Sequence, residues 1–449
     1  MRRKEQQIAL FKIGFLTCFA MVCGWLFIQT EPSKEEDLGI QRPKVNFAKT
    51  KSSERTRPRT RRKVRSVPKV ARKPKKRKPT SRKSGRSEAE WAALAKRWRT
   101  PVQEPGVNRK PPPHCTDSVK HPVTSLRYKR DQAIIRGMKW MDAFAERRWS
   151  FSSLGIDSVY IFIELAENSC NPYIRSYSLK VAQRLASRMK GFYLLPKKLD
   201  NVGELFDAMD LLTMLPFLKI SPQPLLTETA KAFERTRKKG LEKLYGVDMN
   251  ALTSLNNDDT FDVMINIYIS DKAALMYPGA FRSGVSLEKM LPVLRQYPYV
   301  YYKKDKSKNR KVFSDDAFLA THVAFVVNNY SRLSMRIADI PKAYKFLRDN
   351  FAHTLKMKDD ELVGEFVDVF RGVGLHEGND AMVKQGTHFL LKSQNKDGSW
   401  GDWKKEKDAY DAIHYTWCAV HGLRERFVYK NTLFEKHIRP ILKRINKSK

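Results

Sequence analysis

Cysteine is scarce in this 449-residue chain, and acids are outnumbered: there are five cysteines, and 48 Asp plus Glu stand against 86 Lys plus Arg. Cys18 and Cys23 fall in an apolar run near the start, so Cys115, Cys170 and Cys418 allow at most one internal pair. A dense disulfide framework is thereby excluded. Also missing is any series of alternating strands separated by hairpin turns, the signature of an all-β domain. The acid deficit is uneven. Residues 51–86 carry 18 Lys or Arg and one acid, Glu54, so +17 of the formal +38 lies in this segment and +21 is left for the rest.

That segment also has almost no apolar side chains to bury, repels itself and is broken by Pro58, Pro68, Pro74 and Pro79. It is expected to be a disordered basic stalk, within a linker over 29–125. Its charge suits a solvated spacer or contacts with anionic lipid or glycan, since counterion release needs no folded site. The absence of interleaved aromatic side chains argues against a nucleic-acid arm.

Ahead of the stalk, Ile8 to Ile28 holds one charge, Lys12, behind Arg2, Arg3 and Lys4. At 1.5 Å per residue the run is about 31 Å long, the thickness of a hydrocarbon layer. It is longer than the apolar region of a cleaved signal peptide and no small-x-small site follows it. The expectation is a cytosolic tail over 1–7 and a signal anchor over 8–28. Glu31, Glu35, Glu36 and Asp37 follow the run, so the positive-inside rule points the body to the lumen. This is a single-pass type II membrane protein facing the endoplasmic reticulum or Golgi lumen, with the membrane as a partner. Two sequons, at Asn329 and Asn446, become relevant in that setting.

From residue 126 onward the apolar residues recur at three and four places. About thirteen segments, among them 132–148, 202–215, 223–245, 358–371 and 431–446, read as helices, compatible with six helical hairpins and an extra helix. The fold class is all-α.

One passage is more particular. In Gly386-Thr-His-Phe389-Leu390-Leu-Lys-Ser-Gln394-Asn-Lys-Asp397-Gly398-Ser-Trp400, a helix carrying Phe389 and Leu390 into the core runs out into a tight turn. Gln394 can bond exposed amides there, and the indole of Trp400 can fill the space between helices. The passage resembles the QW repeat of the terpene cyclase and protein prenyltransferase superfamily through Gly386, Phe389, Leu390, Gln394, Gly398 and Trp400. The resemblance covers about fifteen residues and implies an α/α toroid, a double ring of helices around a cavity, with Gln394, Gly398 and Trp400 structural. It does not extend to activity, because the Asp-x-Asp-Asp protonation motif and further QW elements are missing. Asp258-Asp259-Thr-Phe-Asp262 is similar to the magnesium-diphosphate motif of class I terpene synthases, although Asn256 and Asn257 before it also make a natural N-cap.

Polar residues inside apolar helices mark the remaining candidates. His414, Cys418 and His421 share a helix face at offsets of four and seven, and imidazole and thiolate are zinc ligands. Asp315, Asp316 and His322 introduce the apolar run Phe318 to Val327, and Glu365 and Asp368 interrupt Leu362 to Phe370, with His376 at the following turn. If the inner helices of a toroid converge, His322, His414, Cys418 and Asp316 become metal ligands and Glu365, Asp368 and His376 acid-base groups. The cofactor is then a divalent metal, whether zinc, iron or magnesium. Three functions are open: a membrane-anchored luminal enzyme using the cavity, a non-catalytic binding or scaffold protein, and a prenyltransferase or terpene cyclase.

Overall fold

A computed structural model describes residues 86–97, 115, 124–302 and 309–447. They contain sixteen α-helices and no β-strand, with one isolated antiparallel bridge between Ser169 and Arg426. In chain order the helices are α1 (Glu88–Arg97), α2 (Leu126–Ala145), α3 (Arg148–Leu154), α4 (Asp157–Asn168), α5 (Pro172–Tyr193) and α6 (Val202–Met214). There follow α7 (Leu225–Lys238), α8 (Leu241–Tyr245), α9 (Asn257–Met276), α10 (Leu287–Gln296) and α11 (Asn309–Val327). The last are α12 (Pro341–Met357), α13 (Asp360–Gly372), α14 (Ala381–Ser393), α15 (Ala409–Leu423) and α16 (Leu433–Lys447).

The membrane-anchored type II architecture is corrected. Among the described residues no helix is long and apolar enough to cross a membrane. The segment 8–28 and the basic run 51–85 lie outside those residues. The membrane partner, the lipid or glycan contacts and the lumen-facing location rested on these segments and are withdrawn with them. The fold statement that stands is an all-helical domain.

Local chemistry sets the helix ends. Asn171 accepts hydrogen bonds from the amides of Tyr173 and Ile174, with Pro172 supplying the first helical φ of α5. Asp359 caps α13 through the Leu362 amide, and Asp408 caps α15 through that of Tyr410. The run 223–245, read as one helix, is divided at Gly240, whose φ of 116° no helix accommodates.

Along the chain, helices that line a central cavity alternate with helices that do not. Those lining it are α4, α6, α9, α11, α13 and α15. Sequential members α6, α9, α11, α13 and α15 pack on one another. The ring closes onto α4 where His421 of α15 lies 2.7 Å from Glu164. Helices α5, α7, α10, α12 and α14 each pack beside a lining helix, and α16 covers α9 and α10.

Residues 86–97, within the stretch read as linker, form α1, which packs on α7 with Trp91 buried beneath Arg86. Cys115 is disulfide-bonded to Cys170 in the α4–α5 turn. Asn329, the first sequon, is buried and accepts a hydrogen bond from the Tyr268 hydroxyl at 2.7 Å, so no glycan fits there.

Candidate metal centre

Two neighbouring lining helices build the centre. In α13, Leu362, Val363, Phe366, Val367, Val369 and Phe370 are all fully buried, so the helix is enclosed on every side and Glu365 and Asp368 have nowhere to go but inward. In α15, His414, Cys418 and His421 occupy one buried face. Gly364 lets these helices touch: a Cβ there would stand 2.5 Å from the carbonyl carbon of Cys418.

The result is a compact donor set of Glu365, His414 and Cys418, with ligand atoms within 4.8 Å of one another. Cys418 Sγ is 3.5 Å from His414 Nε2 and 3.7 Å from Glu365 Oε1, and His414 Nε2 is 4.0 Å from Glu365 Oε1. Bonds of about 2.0–2.3 Å in a four-coordinate zinc site would place such atoms about 3.3–3.6 Å apart, so the two distances to sulfur match a tetrahedral ion, and the His414–Glu365 pair would draw in by about half an ångström or more to hold one.

Neighbouring groups orient each ligand. Glu361 holds His414 Nδ1 and turns Nε2 toward the other two ligands, the carboxylate–histidine arrangement common beside zinc. The Thr321 hydroxyl donates to Glu365 Oε2, leaving Oε1 for Cys418. Burial would lower the His414 pKa, but Glu361 and then Glu365 raise it to about 9. Burial raises Glu365 to about 7 against the pull of His414, and it pushes the Cys418 thiol well up, with Glu365 and Glu361 adding to the effect. A thiol, an imidazole and one carboxylate suit zinc and not magnesium, which takes oxygen ligands.

The other sequence candidates are distributed as follows. His322 lines the same cavity, with Nδ1 2.9 Å from the Phe318 carbonyl oxygen and 3.9 Å from Glu365 Oε2. Burial lowers its pKa to about 4, so it is neutral. Asp368 also borders the cavity, but it pairs with Arg426 and accepts from Ser331 at 3.1 Å. His421 pairs with Glu164.

Asp316 is buried elsewhere, accepting from Asn257 at 2.7 Å, from Tyr297 at 3.2 Å and from the Val300 amide at 2.5 Å. It fastens the 297–300 segment and does not reach the donor set. His376 is exposed in the α13–α14 loop, where its Nδ1 accepts from the Gly378 amide. Asp258, Asp259 and Asp262 form the first turns of α9, outside the cavity lining. Asp258 and Asp262 are exposed, and Asp259 exchanges two hydrogen bonds of 2.8 Å with Asn256. The N-cap accounts for this acidic run.

The QW-like passage does structural work beside the centre. Gln394 donates to the carbonyls of Ala133 and Gly398, and Gly398 turns at φ 94°. Trp400 is fully buried, its indole donating to the Leu390 carbonyl at 2.7 Å and its amide to Thr416 at 3.0 Å. These bonds join α14 to α15 and to α2.

Several cavity residues went unread in the sequence: Asp157, Glu164, Asp207 and Asp210 all line the cavity of about 250 Å³. The signal was present. Glu164 interrupts Tyr160-Ile-Phe-Ile-Glu-Leu-Ala, and Asp207 and Asp210 interrupt Leu205-Phe-Asp-Ala-Met-Asp-Leu-Leu, as Glu365 and Asp368 do in α13.

Comparison with protein-family models, with curated proteins and with solved structures finds no match to this chain.

Proposed function

We propose that the domain is a metal- and ligand-binding protein, in which Glu365, His414 and Cys418 hold a zinc-like divalent ion and the cavity admits a small molecule beside it. The membrane-anchored luminal enzyme is not carried further, and the non-catalytic binding reading replaces it. The observation that carries the proposal is the spacing of the three donor atoms, 3.5, 3.7 and 4.0 Å, on adjacent helices facing one cavity. Three protein ligands leave the fourth position of a tetrahedral ion open toward that cavity. The alternation of lining and outer helices also supports kinship with α/α toroids, while the capped Asp258–Asp262 turn gives no support to a diphosphate site.

The test is titration of the metal-free full chain with Co²⁺, followed by displacement with Zn²⁺. A bound ion with one thiolate gives a sulfur-to-cobalt charge-transfer band at one equivalent. Cys418→Ser should remove that band and His414→Ala should weaken binding, with helical content unchanged in both. Absence of the band in the wild-type chain, or an undiminished band in Cys418→Ser, overturns the proposal.

A further inference from the structure

The three metal ligands account for only part of the cavity wall. Six carboxyl groups border the space: Asp157 and Glu164 from α4, Asp207 and Asp210 from α6, and Glu365 and Asp368 from α13. Three are matched by cations. Glu164 lies 2.7 Å from His421 and 4.0 Å from Arg424, Asp210 is 3.7 Å from Lys272, and Asp368 pairs with Arg426. Glu365 belongs to the metal centre.

Asp157 and Asp207 are different. Among the described residues neither forms an ion pair, and Asp207 has only the Tyr193 hydroxyl at 3.3 Å. A second, independent sign lies in the same cavity wall: Glu164 is 5% exposed, and its Oε1 has no hydrogen-bond partner although the residue faces the cavity. An orphaned buried carboxylate oxygen is costly unless something donates to it.

Much of the rest of the wall is aromatic, from Tyr160, Phe261, Phe325, Tyr330, Tyr410 and Trp417. Spare acceptors with negative charge, set among ring faces, recognise a donor that is itself positive. A carboxylate gives an ammonium a charge-assisted hydrogen bond, and ring faces add cation–π attraction. A neutral polyol would satisfy the acceptors but leave the charge unmatched.

We infer that the cavity binds a small organic amine in its ammonium form, held by Asp157 and Asp207, with Glu164 Oε1 as a further acceptor and the carbon chain against the aromatic wall. The inference rests on the cavity being a binding site and deepens that reading by naming the ligand class. It does not depend on the metal. The acidity of the two aspartates agrees with it: burial pushes each up to about 7, with the His414 imidazole pulling Asp157 back and Asp210 adding to it, and with Asp157 adding to Asp207. Both would be returned to the carboxylate state by a bound cation.

Calorimetric titration of the full chain tests this, with 1,5-diaminopentane as the probe and 1,5-pentanediol as its uncharged counterpart, in chelator and again with Zn²⁺. Saturable binding of the diamine is expected, with the diol at least about tenfold weaker. Asp207→Asn and Asp157→Asn should each weaken the diamine about tenfold or more while helical content and cooperative melting are kept. Equal binding of diol and diamine, undiminished affinity in the double variant, or no binding of the diamine overturns the inference. Absence of the cobalt band in the wild-type chain with diamine binding retained removes the metal reading alone. Loss of diamine binding in the aspartate variants with the cobalt band retained confirms that the two sites are separable and supports the amine assignment.

Discussion

Gly364 of α13 lies flat against the backbone of Cys418 in α15, so close that a methyl group on Gly364 would meet the Cys418 carbonyl carbon and oxygen at 2.5 Å. This contact sets the separation of the helices that carry Glu365 on one side and His414 and Cys418 on the other. Gly364→Ala must push the backbones apart, because backbone atoms cannot rotate away as a side-chain tip can. The expected result is a loss of about 1–3 kcal/mol in stability and a larger proportional loss in metal affinity. Chemical denaturation beside cobalt titration measures both, and unchanged affinity would show that the ligands do not depend on this contact.

Glu361 touches His414 and is not one of the three donors. It is a positioning residue, and Glu361→Gln should weaken the metal about 10–100-fold while leaving the thiolate band at saturation in place. Binding should also tighten as pH rises, because the His414 and Cys418 protons must leave as the ion enters. Proton release measured in two buffers of different ionisation enthalpy checks the sign.

Trp400→Ala removes a fully buried indole and its bond to the Leu390 carbonyl. A loss of about 3–5 kcal/mol is expected. Denaturant melts that coincide with wild type would refute the wedge role given to this residue.

Asp207 supplies a pH test of stability. Its folded pKa is raised to about 7 by burial and by Asp157, whereas an unfolded aspartate titrates near 4. Above about pH 4 the unfolded chain therefore gives up this proton more readily, and the folded state is progressively disfavoured until about pH 7. Asp207→Asn should stabilise the domain by about 1–3 kcal/mol at pH 8 and by little at pH 4. Melting temperatures of both proteins across that range decide it; a stabilisation independent of pH would point to packing.

The helices were legible because their apolar periodicity is strong. The segments read over 202–215, 358–371 and 431–446 lie within about two residues of α6, α13 and α16 at each end. Glu365, His414 and Cys418 were legible as polar intrusions into buried helices. Which intrusions meet was not, because that depends on ring order. Asp316 shows the same intrusion yet ends in a clasp with Asn257 and Tyr297, and Asp157 escaped notice because it opens a helix, where an acid is ordinarily explained by the exposed amides. Glu361 was hidden for a simpler reason. A carboxylate in the first turn of a helix, next to Asp360, looks like an exposed end.

The interleaving of lining and outer helices has a consequence for biosynthesis. The donor set draws on α13 and α15, the last two lining helices to leave the ribosome, while the carboxyl groups of α4 and α6 are made first. Newly made hairpins therefore carry their acidic side chains before the cations from Arg424 and Arg426 and the His421 imidazole have been synthesised. A divalent ion cannot nucleate the ring, because its ligands do not coexist until the last lining helix is complete. Metal loading belongs to the end of assembly, and a chain stalled before α15 should show no specific affinity for it.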